Sequence, residues 1–405
     1  MDAEISPPAF RPPPVSSPLA SPAGRLTTAF YMSFFMVSGV YMPFWPLWLA
    51  DWGLTPSEVG IFTALGIGVR VVAGLMIPAI ADRFDARRQI VILCCLIGMM
   101  IFVSHLWISR AAVLLIATLA TGAVLAAIGP LAETLGVTAA RQHGFSYAPA
   151  RGLGSIGFLL ANLVVGALIS ATGVMIALWW IVACLGVSAV LASRHPGGQR
   201  IRGQTPPRGA EIRALLMNPI FCIFVAALSF TQASHAVFYA YGTIHWTALG
   251  LSEAHIGALW AAGVGAEVLF MISIGGAVAA RLGPVGALSL SGFAGLLRWS
   301  GMMFDPTGWM LWPLMALHAF TFAAGHLGAM AFISRAVPSR FGGAAQGAAA
   351  AMAAGLVLAL GMAAAAALYP TLGGRTYGVG VVMSLIGLGI CGWLAYRWRG
   401  QELAV

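Results

Sequence analysis

Residues 125–168 read LAAIGPLAETLGVTAARQHGFSYAPARGLGSIGFLLANLVVGAL. Two apolar runs flank the polar turn ARQHG, and each carries a charged residue in its interior, Glu133 in the first and Arg151 in the second. Each run has the about 20 residues that a helix needs to cross about 30 Å of hydrocarbon. Read as a hairpin of two membrane helices, the stretch sets Glu133 and Arg151 at one depth, because their numbers average to 142, inside the turn. Nine residues at about 1.5 Å each place both roughly 13 Å from that turn. An ionised group so deep costs roughly 2.5–3.5 kcal/mol on the gentlest scale, so an acid and a base kept there need a partner or a task.

The same pattern runs through the whole chain. Of its 405 residues, 60% are hydrophobic and only 8% charged, against about a quarter charged in soluble domains. That excludes a soluble protein with a large core, since too few polar residues remain to cover it. Membrane helices are expected near residues 26–49, 56–81, 89–107, 111–140, 149–170, 174–193, 218–246, 256–280, 285–303, 309–334, 344–369 and 376–397. The expected fold is an all-α membrane protein, with twelve transmembrane helices in two pseudo-symmetric six-helix halves. Residues 1–24, rich in Pro and Ser, are expected to form a disordered cytoplasmic tail, and their order of charge and apolarity is not that of a signal peptide. The N-terminal half then covers 25–193, a basic Pro- and Gly-rich linker 194–217, the C-terminal half 218–397 and a short tail 398–405.

All 21 basic residues are arginine. With a cytoplasmic N-terminus, sixteen lie on the inner side and only Arg110 and Arg375 outside, which the positive-inside rule favours. The expected location is a bacterial inner membrane with both termini cytoplasmic. The net charge of +9 therefore reports topology, and nucleic-acid binding is not suggested. The five cysteines fall within apolar runs, as small core residues rather than a disulfide framework.

Five charged residues remain within or at the edge of helices: Arg70, Glu133, Arg151, Glu267 and Arg298, with His235, His318 and His326 beside them. Glu267 and Arg298 average to 282.5, in the turn RLGP, and Arg298 and His318 to 308, in the turn DPTG. Three helices thus present an acid, a base and an imidazole at one level. Arg70 has no partner of this kind. His235 shares a helix face with Gln232 and Tyr239, either lining a cavity or making a polar helix contact. His326 reads as a packing residue, and Trp45, Trp48, Trp52 and Trp246 as interfacial belt rather than ligand cage. The aromatics of the first and seventh helices, Phe30, Phe34, Phe35, Phe44, Phe230, Phe238, Tyr239 and Tyr241, either line an apolar pocket or pack. No nucleophile–base pair, metal cluster or phosphate loop argues for an enzyme or a cofactor, and no repeated lining argues for a channel.

The segment AIADRFDARRQ (79–89) resembles the loop between helices 2 and 3 of the major facilitator superfamily. Ala81, Asp82 and Arg83 match its motif, while Pro78 and Asp85 stand where glycines are expected. Together with YMPFWPLWLADWGLTPSEVGI, ARGLGSIGFLLAN, IGALWAAGVGAEVLF, GLLRWSGM, ALHAFTFAAGHLGAMAFISRAVP and GAAQG, it resembles the phenylpropionate permease family of that superfamily, relatives of the lactose permease. The resemblance implies a major facilitator fold and a cofactor-free, monomeric transporter, working in the lipid bilayer by alternating access. It implies proton-coupled symport of a small organic solute, with an aromatic carboxylic acid favoured and a sugar or nucleoside as the alternative. By the same comparison Glu133 and Arg151 match a substrate-binding pair, and Phe158 matches a stacking aromatic. His235 and Tyr239 are added to the substrate-binding group. Glu267, Arg298 and His318 match a proton-coupling site, in which Met315 and Thr321 replace a Lys and a second Glu. Asp82, Arg83, Arg87 and Arg88 would latch the cytoplasmic helix ends.

Overall fold

The computed structural model describes residues 16–198 and 209–404. Among them, ten helical runs are long and apolar enough to cross a membrane. The first seven are α1 (Pro22–Asp51), α2 (Pro56–Arg83), α3 (Arg87–Ser104), α4 (Ala111–His143), α5 (Tyr147–Thr172), α6 (Met175–Arg194) and α7 (Pro219–Ala248). Two of the others, Glu253–Met302 and Ser339–Arg397, have 50 and 59 residues and are too long for one crossing. Each breaks at a glycine with a φ that side chains resist, 68° at Gly283 before Pro284 and 53° at Gly373. Each also doubles back. Glu267 and Arg298 both reach His318, although a straight helix would hold them about 46 Å apart. A Cβ on Gly361 would lie 3.3 Å from Met383 Sδ, against about 33 Å in a straight helix. The breaks therefore separate α8 (253–282) from α9 (284–302), and α11 (339–372) from α12 (Gly378–Arg397), with α10 (Gly308–Ala336) between the two pairs. Ten runs and two reversals make the twelve crossings that the apolar pattern predicts.

Local chemistry sets the ends. In LTPSE, Thr55 Oγ1 accepts the Glu58 N–H while Glu58 accepts the Thr55 N–H, with Pro56 in the first turn of α2. Asn218 caps α7 through the N–H groups of Ile220 and Phe221. Gly144, at φ 67°, closes α4 by donating to the Ala140 carbonyl. The outer faces are apolar: Val72, Ile116 and Ile272 are 57, 67 and 76% exposed, a surface made for lipid.

Packing repeats with an offset of six helices. α1 packs on α5 and α6 as α7 does on α11 and α12; α2 packs on α4 as α8 on α10; α3 packs on α6 as α9 on α12. The halves meet along α5–α8 and, symmetrically, α2–α11. At the first seam backbones touch, since a Cβ on Gly257 would lie 2.2 Å from the Asn162 carbonyl oxygen and one on Gly166 would lie 2.6 Å from that of Glu253. Among the described residues, the hydrogen bonds between the halves lie at the end where α1 turns into α2. Tyr241 donates to the Pro56 carbonyl at 2.8 Å, Ser57 to that of Ala366 at 3.1 Å, and Ser170 to Glu253 Oε2 at 3.0 Å. That end is closed, and the arginine-rich end has no such clasp among the described residues.

The chain ends differ from expectation. Residues 1–15 lie outside the described residues, but Ser16 bonds with Gly144 and Ser146 at 3.0 Å each, and α1 already starts at Pro22. Within the expected linker, Gly209–Met217 is helical, while 199–208 lie outside the described residues. The C-terminal segment packs as well: Trp398 meets Phe332 at 4.6 Å and the Leu403 N–H donates to the Ala336 carbonyl at 2.7 Å. Large apolar side chains near a chain end hold it down wherever a groove can bury them. His195, just past α6, ties three helices. Its Nδ1 accepts the Gly197 N–H and Nε2 donates to Thr27 Oγ1, both at 3.1 Å, while its carbonyl accepts from Arg88. Burial above all, helped by the charges of Arg88 and His143, pushes the imidazole down to about 4.

Candidate functional site

Arg151 Nε donates to Glu133 Oε1 at 2.7 Å, as the hairpin spacing requires. The guanidinium also lies 4.9 Å above the Phe35 ring. Both side chains are 42% exposed, so the pair faces open space between the halves rather than a dry helix contact. Arg151 comes within electrostatic reach of Glu267 and His326 across that space. His326 is exposed there, not packed as expected.

The second cluster is buried. Arg298 is 0% exposed; its Nη1 donates to His318 Nδ1 at 3.0 Å and to Thr321 Oγ1 at 3.1 Å, and its plane lies 4.6 Å from the Trp299 ring and 5.0 Å from that of Phe238. A guanidinium only donates, so His318 Nδ1 is the bare nitrogen and Nε2 carries the proton. Nε2 faces Glu267 Oε2 at 3.4 Å. His235 Nδ1 sits 2.8 Å from the Gln232 carbonyl and must donate to it, leaving Nε2 to accept the Thr321 hydroxyl proton at 3.1 Å. One chain of donors therefore runs Arg298, Thr321, His235, Gln232. Backbone irregularities make room for it. His235 stands at the break between the two segments of α7, Pro219–Ala233 and Ala236–Ala248. His318 precedes the π-helical turn Ala319–Ala324, whose Thr321 carbonyl accepts from Ser291 at 2.6 Å and Gln232 at 3.2 Å.

Glu267 and Arg298, expected at one level, do not touch: His318 stands between them and uses one ring nitrogen on each. Of the other members, Ser291 has no mark in the sequence, Gln232 is hinted at by its spacing to His235, and Thr321 by the resemblance, which sets it where a second Glu is expected.

A cavity of about 390 Å³ lies between α1, α2, α4, α7, α10 and α11. Its wall includes Tyr41, Trp45, Ile67, Tyr239 and Phe322, together with the small residues of the π-helical turn Ala351–Val357. Arg70 is the single charged residue in that wall. It stands at the centre of α2, and among the described residues it has no hydrogen-bond or ion-pair partner.

Several expected roles move. Trp45 and Trp48 are 3% exposed and stack at 4.6 Å, and Trp246 is 1% exposed, so these are buried packing residues and not an interfacial belt. Trp52 keeps a helix-end position, donating to the Ile108 carbonyl. Of the aromatics named on the first and seventh helices, Tyr239 reaches the cavity wall, whereas Phe30, Phe44, Phe238 and Tyr241 are fully packed. Phe158 is outside the wall, and its backbone is pressed against α1 at Gly39. Cys222 is exposed, unlike buried Cys94, Cys95 and Cys391. Asp82 binds Arg87 and Arg88 reaches the His195 carbonyl, contacts within one half, whereas Arg83 lies over the ring of its neighbour Phe84.

Residues 25–378 match the model of the MFS_1 like family. The chain belongs to that family. This transporter is 28% identical over 316 residues to the probable 3-phenylpropionic acid transporter of Escherichia coli (strain K12), covering 75% of its own chain and 80% of the relative. It is 22% identical over 319 residues to the maltose permease of Geobacillus stearothermophilus, covering 77% and 79%. In fold it is similar to the nucleoside transporter NupG (D323A mutant), with a TM-score of 0.79 at 17% identity over 93% of this chain and 99% of that one. A bacterial homolog of the human lysosomal transporter Spinster gives 0.66 at 15% identity over 96% and 99%. The transporter is thus a multi-pass membrane protein of the major facilitator type.

Proposed function

We propose that this transporter carries an aromatic carboxylic acid, of the phenylpropionate kind, together with a proton by alternating access. The observation that carries the proton part is the Arg298–His318–Glu267 arrangement. Glu267 sits at membrane depth, its side chain 17% exposed, beside an imidazole rather than a guanidinium. Such a carboxyl can exist as acid or carboxylate, and the distance to a cation decides which form is favoured. Arg151, held by Glu133 on the opposite half, is that variable cation: rocking of the halves brings it nearer to Glu267 or takes it away. His318, with one ring nitrogen on Arg298 and the other facing Glu267, passes the proton or orients the solute. The aromatic-walled cavity and the likeness to the probable 3-phenylpropionic acid transporter of Escherichia coli support the solute class. With the termini in the cytoplasm of a bacterial cell, the closed end faces outward and the conformation is inward-open. The protein acts as a monomer.

The test is uptake of 3-phenylpropionate into proteoliposomes under an imposed pH gradient. Glu267→Gln should lose uphill accumulation while keeping downhill exchange. Normal accumulation by that variant would refute the proton role. A second reading, a hydroxylated solute such as a sugar or nucleoside, draws on the Glu133–Arg151 pair, whose 42% exposure leaves donors and acceptors open. Competition of 3-phenylpropionate uptake by maltose or nucleosides decides between the two.

A further inference from the structure

Arg70 is the charged group that the proton mechanism leaves unused. It lies 14 residues from Pro56 and 13 from Arg83 on α2, about 20 Å from either end of that helix. A guanidinium at this depth is costly unless something neutralises it. Arg151 has Glu133 at 2.7 Å, and Arg298 spends its Nη1 on His318 and Thr321. Arg70 has no ion-pair or hydrogen-bond partner among the described residues and is the one charge on the wall of a cavity otherwise built of apolar and aromatic groups and of Thr63 and Thr118, whose hydroxyls are spent on backbone carbonyls. The cavity's volume, about 390 Å³, lies within the range of small-molecule sites. Two further groups in the wall, the hydroxyls of Tyr41 and Tyr239, are without a hydrogen-bond partner among the described residues.

We infer that Arg70 is the carboxylate anchor of the solute site, binding a monocarboxylate whose apolar body lies against Trp45, Tyr239 and Phe322. The inference rests on the aromatic-acid reading and deepens it, by moving the carboxylate from the Glu133–Arg151 pair to α2. At Arg151 an incoming carboxylate would have to share the guanidinium with Glu133, whose own negative charge lies 2.7 Å from Nε. At Arg70 it meets a fork of unused N–H donors, and a planar carboxylate fits that fork with two parallel bonds. Seating it there also replaces the missing countercharge, so solute binding relieves a cost that the empty site carries. Tyr41 and Tyr239 offer donors to the solute's remaining oxygen lone pairs.

The experiment compares binding of 3-phenylpropionate and of the uncharged 3-phenylpropanamide, which has the same body, to protein in nanodiscs. Wild type is expected to prefer the acid. Arg70→Gln should lose about 10- to 100-fold in affinity for the acid and leave the amide unchanged, while Arg70→Lys should recover part of the preference. An unaltered acid-to-amide ratio in Arg70→Gln, with wild-type uptake of the acid intact, overturns the anchor alone. Wild-type protein that binds neither probe overturns the aromatic-acid reading and the anchor with it. Should Arg70→Gln not fold, Ala354→Phe fills the cavity without touching the charge: loss of both probes supports the assignment, and retained binding of the acid overturns it.

Discussion

Thr321→Val removes one hydroxyl from the middle of the buried donor chain and changes little else in shape. That oxygen is fully buried, accepts from Arg298 Nη1 at 3.1 Å and donates to His235 Nε2 at 3.1 Å. Side-chain hydrogen bonds between membrane helices average about 0.6 kcal/mol and reach about 1.7 kcal/mol. Two bonds, one of them from an ionised donor, therefore give an expected loss of about 1–3 kcal/mol. The upper half of that range is favoured because His235 Nε2 would be left without a donor in a site that water does not reach. The functional effect should be larger than the structural one. Arg298 would keep His318 as its sole side-chain nitrogen partner and would be free to swing toward Glu267, replacing the imidazole by a fixed cation. Unfolding by SDS in mixed micelles gives the stability, and pH-driven uptake of 3-phenylpropionate gives the function. Uphill accumulation should fall by about tenfold or more, with Thr321→Ser close to wild type. Stability within about 0.5 kcal/mol of wild type together with undiminished accumulation would refute the reasoning.

Other outcomes follow from the same geometry. His195 titrates at about 4 in the folded protein against an ordinary 6.5, so between those values the unfolded chain binds the extra proton. Stability should be flat above about pH 6.5 and decline as pH falls toward 4, by up to about 3 kcal/mol. His195→Gln should flatten that decline in SDS unfolding midpoints, and an unchanged slope would exclude His195 as its source. Gly257→Ala puts a methyl group 2.2 Å from the Asn162 carbonyl oxygen, which the closed seam between α5 and α8 cannot take. It should shift the population toward the state open at that end, seen as faster thiol labelling of a cysteine placed at Ser57. Labelling at the wild-type rate would show that the seam is not what holds that end shut. Glu267→Gln and Arg70→Gln should fail in different ways, the first in proton-driven accumulation and the second in telling an acid from its amide.

How much of this was legible beforehand depended on whether a contact follows from position along a helix or from rotation about it. The hairpin arithmetic on 133 and 151 led to a real 2.7 Å bond, and that on 298 and 318 to one of 3.0 Å. The same arithmetic on 267 and 298 gave a common level and no contact, because azimuth decides which neighbour an acid meets and no spacing rule encodes it. Tryptophans near helix ends looked interfacial, yet Trp45 and Trp48 stack on each other because α1 turns that face toward Phe102 and His105 of the α3 region. The π-helical turns at Ala319–Ala324 and Ala351–Val357 left no mark in an alanine-rich sequence, and with them went the cavity wall and the role of Thr321. Arg70 was visible as an oddity. Its meaning needed the cavity, which is formed by residues more than two hundred positions apart.

The placement of Arg70 and Glu267 has an electrical consequence. In the empty carrier the two contribute opposite charges; in the loaded one, a bound carboxylate offsets the first and a proton neutralises the second, so the sum is again zero. Both legs of the cycle would then move the same net charge through the bilayer, and the membrane voltage would have no purchase on either. On this assignment a cell that lost its voltage but kept its acidity difference would go on importing at full rate.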